Sequence, residues 1–232
     1  MARTIKEHEF AAKRSEILAA AQRLVFTKGY ERMTIGDILA ELKISSGAFY
    51  HYFDSKPAVL EALIEWMQQE AEKPLIPIVN DPNLTAPEKL QRFFAALDSS
   101  RSAQKTFLAS LLQVWFADDN AIVRQKVDAA IIERRAPLLN TIIRQGLKEG
   151  VFSTSYPEQL GKVILSLALG MGNDLSRLFL RFAKTLDEAQ SVDEIVAVYA
   201  AYTDAIERVL GAVPGFLYRP DTSTVKEWLE IL

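Results

Sequence analysis

The stretch 34-TIGDILAELKISSGAFYHYFDSK-56 decides the fold. Thr34 and Asp37 stand at the spacing of a capping box, an oxygen acceptor for exposed amides with an acid in the first turn. Ile35, Ile38, Leu39 and Leu42 then form one apolar face, so the spacing predicts a helix of only two turns over 34–42. Ser45 caps a second short helix running to Tyr52. In it Phe49 and Phe53, four residues apart, point inward with Ile44, and Ser46, Ala48, Tyr50, His51 and Tyr52 include the outward positions. Two short helices joined by a tight turn have the dimensions of a DNA-reading helix-turn-helix, whose second helix lies in the major groove. Small or polar outward residues permit the close approach to base edges that such a helix requires.

Working outward, Phe10, Ile17, Leu18, Ala21, Leu24 and Val25 share one stripe of a preceding helix, predicted over 10–28. It stops at Lys28-Gly29, where a cation meets the carbonyl end and glycine takes the left-handed cap. Ser55 and Pro57 open a fourth helix with Val59, Leu60, Leu63, Ile64 and Met67 on its inner face. Pro74, Pro77 and Pro82 then remove backbone donors, so the domain connection is expected there. Beyond it helices are predicted over 86–100, 104–117, 121–149, 157–185 and 192–210, with capping-box spacings at Thr85/Glu88, Ser155/Glu158 and Ser191/Glu194. Pro137 should kink the third of these near Glu133. The tail from Pro214 reads as loop, with a short helix possible after Thr224. No internal repeat and no alternating strand pattern is present, so the fold class is all-α.

The 232 residues are 49% hydrophobic and 25% charged, enough apolar surface for a sizeable core. The absence of cysteine excludes disulfides, thiolate metal sites and cysteine nucleophiles, and fits a reducing cytoplasm. Met1 to Phe10 has no apolar run of the kind a signal peptide carries, and Val163 to Met171, the longest apolar stretch, is too short to span a bilayer. A soluble, cytoplasmic protein with no membrane partner is expected. Net charge is −3, but residues 1–32 carry +3 and residues 1–56 carry +2, leaving −5 on the rest. The only histidines are His8 and His51, and no carboxylate shares the face of His51 at ligand spacing, so no metal and no cofactor are expected.

Gly29-Tyr30, Met33 to Ile38 and Ile44 to Lys56 resemble the signature of the TetR family of repressors, most specifically over residues 10–60. Gln145 to Phe152 is similar to the end of that family's seventh helix. The resemblance implies an N-terminal three-helix helix-turn-helix DNA-binding domain over 1–56 and a connecting helix over 57–73. It also implies a C-terminal helical ligand-binding and dimerisation domain over 74–211, followed by a tail over 212–232. By the same resemblance Thr34 and Ser45 would donate to phosphates, Gly47 would let the backbone come close, and Tyr50 would reach a phosphate or a thymine methyl. Lys56 would clamp a backbone phosphate, and Ser46 and His51 are candidates for base-edge contact. The chain departs from the family at Lys43, where glycine is usual, and at Leu39 and Leu42, where alanine is. A left-handed lysine costs of the order of 1 kcal/mol, so the turn is expected to be slightly altered and the recognition helix tilted.

The family plan also implies a ligand cavity and a four-helix dimer interface built from the helices over 157–185 and 192–210. Val163, Ile164, Leu165, Leu167 and Leu169 exceed what one buried face requires, and Gly161, Gly170 and Gly172 would permit close helix approach. Phe94, Phe107, Leu111, Trp115 and Met171 are candidate cavity residues, with ordinary core packing as the plainer alternative. Asp174 would fix a cationic or hydroxylated ligand, or simply pair with Arg177. The expected function is a homodimeric repressor, released from a palindromic double-stranded DNA operator by a small-molecule effector; activation is the variant. The alternatives are a helical partner-binding protein that has lost DNA binding, or a helical enzyme using Asp118, Asp119 and Asp174. The enzyme reading lacks any nucleophile–base pair, so no catalytic residues are assigned.

Overall fold

The computed structural model describes residues 2–102 and 108–230, with side chains over 8–97 and 112–230. Among the described residues there are eleven α-helices and no strand. In order they are α1 (Ala2–Lys28), α2 (Ile35–Leu42), α3 (Ser46–Tyr50), α4 (Lys56–Glu72), α5 (Leu75–Asn80), α6 (Ala86–Ser102), α7 (Leu108–Phe116), α8 (Ala121–Glu149), α9 (Pro157–Thr185), α10 (Glu188–Leu210) and α11 (Thr222–Leu229). A short 3-10 turn at Asp118–Asn120 precedes α8. Two compact units form, and they are not contiguous in sequence: one takes residues 1–69 with 113–127, the other 70–112 with 128–232.

In the first unit, Ile17, Leu18, Ala21 and Val25 of α1 are buried with Ile38 of α2, Phe49 of α3 and Val59, Leu60 and Leu63 of α4. Thr34 caps α2 as its spacing requires. Its hydroxyl accepts from the Asp37 amide at 3.1 Å, and the Asp37 carboxylate accepts from the Thr34 amide at 2.7 Å. Lys28, at the carboxyl end of α1, reaches the same carboxylate at 2.7 Å. The later segment joins this unit through Asn120, which is fully buried. Its Oδ1 accepts from the Tyr30 amide at 2.8 Å, and its Nδ2 donates to the carbonyls of Val25 and Val114 at 3.1 and 3.0 Å. The neighbouring Asp119 serves the same junction, pairing with Arg32 at 2.8 Å.

The second unit has two apolar clusters. One gathers Leu75 and Val79 of α5, Leu90 and Phe93 of α6, Leu139, Ile142 and Ile143 of α8, Ile164 of α9 and Ile206 of α10. The other lies along α9 to α11, around Leu175, Ile195, Tyr199, Val225 and Leu229. Several expectations change here. Pro74 and Pro77 do not prevent a helix: they stand at the cap and third position of α5, where a missing amide costs nothing because no intrahelical acceptor exists. Unchanged is α8, which spans Ala121–Glu149 as predicted with Pro137 exposed inside it. α10 starts before Ser191, capped by Asp187 through the Gln190 amide at 3.2 Å, and Ser191 is buried inside it. Tyr156, not Ser155, precedes α9 and supplies no side-chain cap. Gly161 serves packing within the chain: a Cβ there would stand 2.6 Å from the Ala136 carbonyl oxygen of α8.

The tail is ordered by charge as well as by apolar contact. Glu207 of α10, 1% exposed, accepts from the amides of Gly215 and Leu217 at 2.8 and 2.9 Å and from Arg219 at 2.7 Å. Arg219 also donates to the Thr203 hydroxyl at 2.9 Å. α11 follows, capped by Asp221, and buries Val225 and Leu229.

Removing Glu207 strands a cation and two amides, so Glu207→Ala should cost about 3 kcal/mol of unfolding free energy. Urea denaturation checks this, and a loss below about 1 kcal/mol would show that apolar contacts alone hold the tail. The Asp37 carboxyl is lowered from 3.8 to about 2, chiefly by the Lys28 and Thr34 hydrogen bonds. A depressed carboxyl stabilises above its unfolded value and loses that contribution as pH falls through its folded value. The unfolding midpoints of the wild type and Asp37→Asn should therefore differ most above about pH 4 and converge towards pH 2. A difference that persists unchanged at pH 2 contradicts the assignment.

Candidate nucleic-acid interface

α3 is five residues long, shorter than its predicted span, and owes its place to what it buries. The Phe49 ring is fully enclosed, Phe53 is buried just past the helix end, and the Arg14 guanidinium lies 4.9 Å over the Phe53 ring. Ser45 caps α3 by accepting from the Ala48 amide at 3.2 Å, which leaves its hydroxyl proton free to donate outward. Thr34 differs. Its hydroxyl donates to Asp37 at 2.8 Å, so in the free protein its proton is committed internally.

The outward face presents Ser45, Ser46, Gly47, Ala48 and Tyr50, all exposed, with Tyr50 half accessible. A Cβ on Gly47 would meet nothing within 4 Å, so the chain's own packing does not demand glycine there. Tyr50 stands edge-on to Phe49 at 5.4 Å between ring centroids. His51 lies beyond the helix end, edge-on to Phe10 at 5.5 Å and to Tyr52 at 5.1 Å, and Phe10 also meets Tyr52 at 4.7 Å. Phe10, on the apolar stripe of α1, is 39% exposed and props the end of the recognition helix, a role its place on that stripe does not reveal.

Cations around this face are mostly engaged within the unit. Lys56 lies 4.4 Å over the Tyr30 ring and donates to the Glu31 carbonyl at 3.1 Å. Burial, with Glu31 and Glu61 adding, pushes the Tyr30 phenol up, so the ring stays neutral beneath the ammonium. Lys13 pairs with Glu16 at 2.6 Å, Arg23 with Glu41 at 2.7 Å and Lys126 with Glu61 at 3.7 Å. Arg124 donates to the Ala117 carbonyl at 2.9 Å. Lys43 closes α2 in the left-handed conformation, φ 52° and ψ 43°, and its amide donates to the Leu39 carbonyl. The turn therefore takes the ordinary left-handed form, and the lysine bears its strain of about 1 kcal/mol.

The candidate ligand residues fall in different places. Trp115 belongs to the first unit, stacked on Phe26 at 5.7 Å. Phe94 packs, partly buried, against the cluster of α5, α6 and α8, while Met171 packs against the cluster of α9 to α11. Phe107 and the Leu111 side chain lie outside the described residues. Asp174 accepts from the Tyr202 hydroxyl at 2.9 Å and stands 3.7 Å from Arg177. The hydrogen bond to Asp174 pushes the Tyr202 phenol up, with burial second. Among the described residues no three acidic or histidine side chains converge as a metal site.

The family model "Bacterial regulatory proteins, tetR family" matches residues 17–63, and "Tetracyclin repressor-like, C-terminal domain" matches residues 113–178. The HTH-type transcriptional regulator EthR of Mycolicibacterium smegmatis is 28% identical over 145 residues, 55% of this chain and 67% of that one. The nucleoid occlusion factor SlmA of Vibrio campbellii is 26% identical over 192 residues, 82% of this chain and 94% of that one. Shorter matches of higher identity span between 19% and 36% of the relatives concerned. A tetR-family regulatory protein from Rhodococcus RHA1 superposes with a TM-score of 0.55 at 23% identity, covering 86% of this chain and 97% of that one. The helix-turn-helix segment and the later helices match, in chain order, the two domain models of one family, and these two matches support a TetR-family bacterial transcriptional regulator.

Proposed function

We propose that the protein is a cytoplasmic, homodimeric repressor that leaves a palindromic operator when a small molecule binds its second unit. The observation that carries this is the exposed face of the small Ser45, Ser46 and Gly47 beside Tyr50, mounted on the buried Phe49. Ser45 and Tyr50 contact phosphates, Gly47 admits the DNA backbone, and Ser46 reaches a base edge. Thr34 and Lys56 join them by exchanging their internal partners for phosphate. His51 contributes from a ring position fixed by Phe10 and Tyr52. In this assignment residues 1–56 bind DNA, 57–73 connect, and 74–211 hold effector and partner.

α9 supports the dimer. It is long and apolar enough to cross a membrane by length and composition, yet only 17% of its most apolar 18-residue window is buried within the chain. Val163 is 43% exposed, and Leu167, Leu169, Leu178 and Leu180 are half-buried. A second copy of α9 and α10 would cover this surface in a four-helix arrangement. Phe94, with Phe107 and Leu111 nearby in sequence, is the favoured start for a cavity search. Met171 and Asp174 offer a second place, between α9 and α10. An effector coupled by about 1–3 kcal/mol would change DNA affinity roughly 5- to 150-fold.

One comparison favours a second reading. The alignment with a nucleoid occlusion factor covers most of both chains, so the second reading is nucleoid occlusion, in which the DNA sites need not stand before regulated genes.

Selection of bound fragments from genomic DNA separates these readings. Under repression it should recover a palindrome with half-sites about one helical turn apart, upstream of genes, and Tyr50→Ala should lose it. Scattered sites support the second reading, and no enriched fragment removes DNA binding altogether. Light scattering should give twice the mass of one chain for the wild type and a single-chain mass for Val163→Glu. A monomeric wild type overturns the dimer.

A further inference from the structure

Lys43 combines two features that no packing within the chain explains. It occupies the left-handed region at φ 52°, and among the described residues only Leu186 shares that condition without being glycine. The position is exposed, so glycine or asparagine would fill it without strain. Its ammonium is also unneutralised. Every other described lysine or arginine of the first unit meets a carboxylate, a ring or a carbonyl, whereas the Lys43 side chain has no hydrogen bond or ion pair among the described residues.

The free charge stands in the turn between α2 and α3, two residues before Ser45 and about 7 Å along the chain from it. A lysine side chain spans a similar distance, so its ammonium can reach a phosphate that lies against Ser45. The nearby acids already have cations of their own. Asp37 is occupied by Lys28 and Glu41 by Arg23, so neither is free to claim Lys43. A lysine kept at a strained position with an idle charge is explained if the charge has a partner outside the chain.

We infer that Lys43 is a further phosphate-binding residue of the DNA interface, contacting the duplex backbone beside the recognition helix without reading sequence. The inference rests on the DNA-binding function proposed above. A phosphate contact releases about 0.9 counterions, so it adds that much to the slope of log affinity against log salt and acts equally on any sequence.

The test measures binding of the full chain to a labelled 40-base-pair duplex of random sequence between about 50 and 200 mM salt. The wild type is compared with Lys43→Gly and Lys43→Asn, both compatible with a left-handed backbone. Both variants should bind more weakly, with a slope shallower by about 0.9 per bound chain. The wild-type advantage should then shrink about 3.5-fold per chain across that salt range. The urea midpoint of Lys43→Gly should be unchanged or higher, which separates lost contact from lost fold. Unchanged affinity and slope in both variants overturn the assignment. Weakening with an unchanged slope overturns it too, since that reports an altered turn and not a lost charge. A wild type without salt-sensitive binding instead defeats the DNA-binding reading itself, a result visible before any variant is compared.

Discussion

Everything at the DNA-facing end depends on burying one ring. A helix of five residues has no stability of its own, because nucleating it fixes more dihedrals than its few hydrogen bonds repay. Phe49 removes its whole side chain from water, worth roughly 2–3 kcal/mol, and with Phe53 fixes which side of the helix can face outward. The outward residues can then be small and polar because they contribute nothing to holding the helix. The division between anchoring and reading is a consequence of helix length.

The second unit meets a different demand. α9 has more apolar surface than the chain covers, while α11 packs against α10 and closes the cluster they share with Val225 and Leu229. A purely apolar tail could slide along such a surface. Glu207 prevents this by fixing two amides and a guanidinium at one place, so direction comes from charge and hydrogen bonding while burial supplies the adhesion.

What could be read from the sequence follows the range of the interaction. Thr34 with Asp37 and the alternation of Phe49 and Phe53 act within a turn or two, and the structure has them as the spacing predicts. Lys43 was visible as a departure from a glycine position, and the left-handed backbone there was foreseeable. The start of α10 was placed too late because Ser191 and Glu194 imitate a cap inside a helix that Asp187 had already begun. Prolines 74 and 77 look like breakers unless their position within the first turn is known. Asn120 and Glu207 were not legible in their roles. Asn120 follows two acids at a helix junction, yet two of its partners lie 90 and 95 residues away, and no local pattern encodes a contact at that distance.

That distance matters for the order in which the molecule can be completed. The DNA-facing unit is not finished when its first 69 residues have been made, because the Tyr30 amide and Val25 carbonyl still lack Asn120. During synthesis, at about 5–20 residues per second, several seconds separate the emergence of Val59 and Leu60 from that of the asparagine that locks the unit. An early chain would hold α1 to α4 in a loose, reversible form over that interval. A fragment cut after α4 for transplantation into another protein would stay in that form permanently, able to show the right residues but not to keep them still.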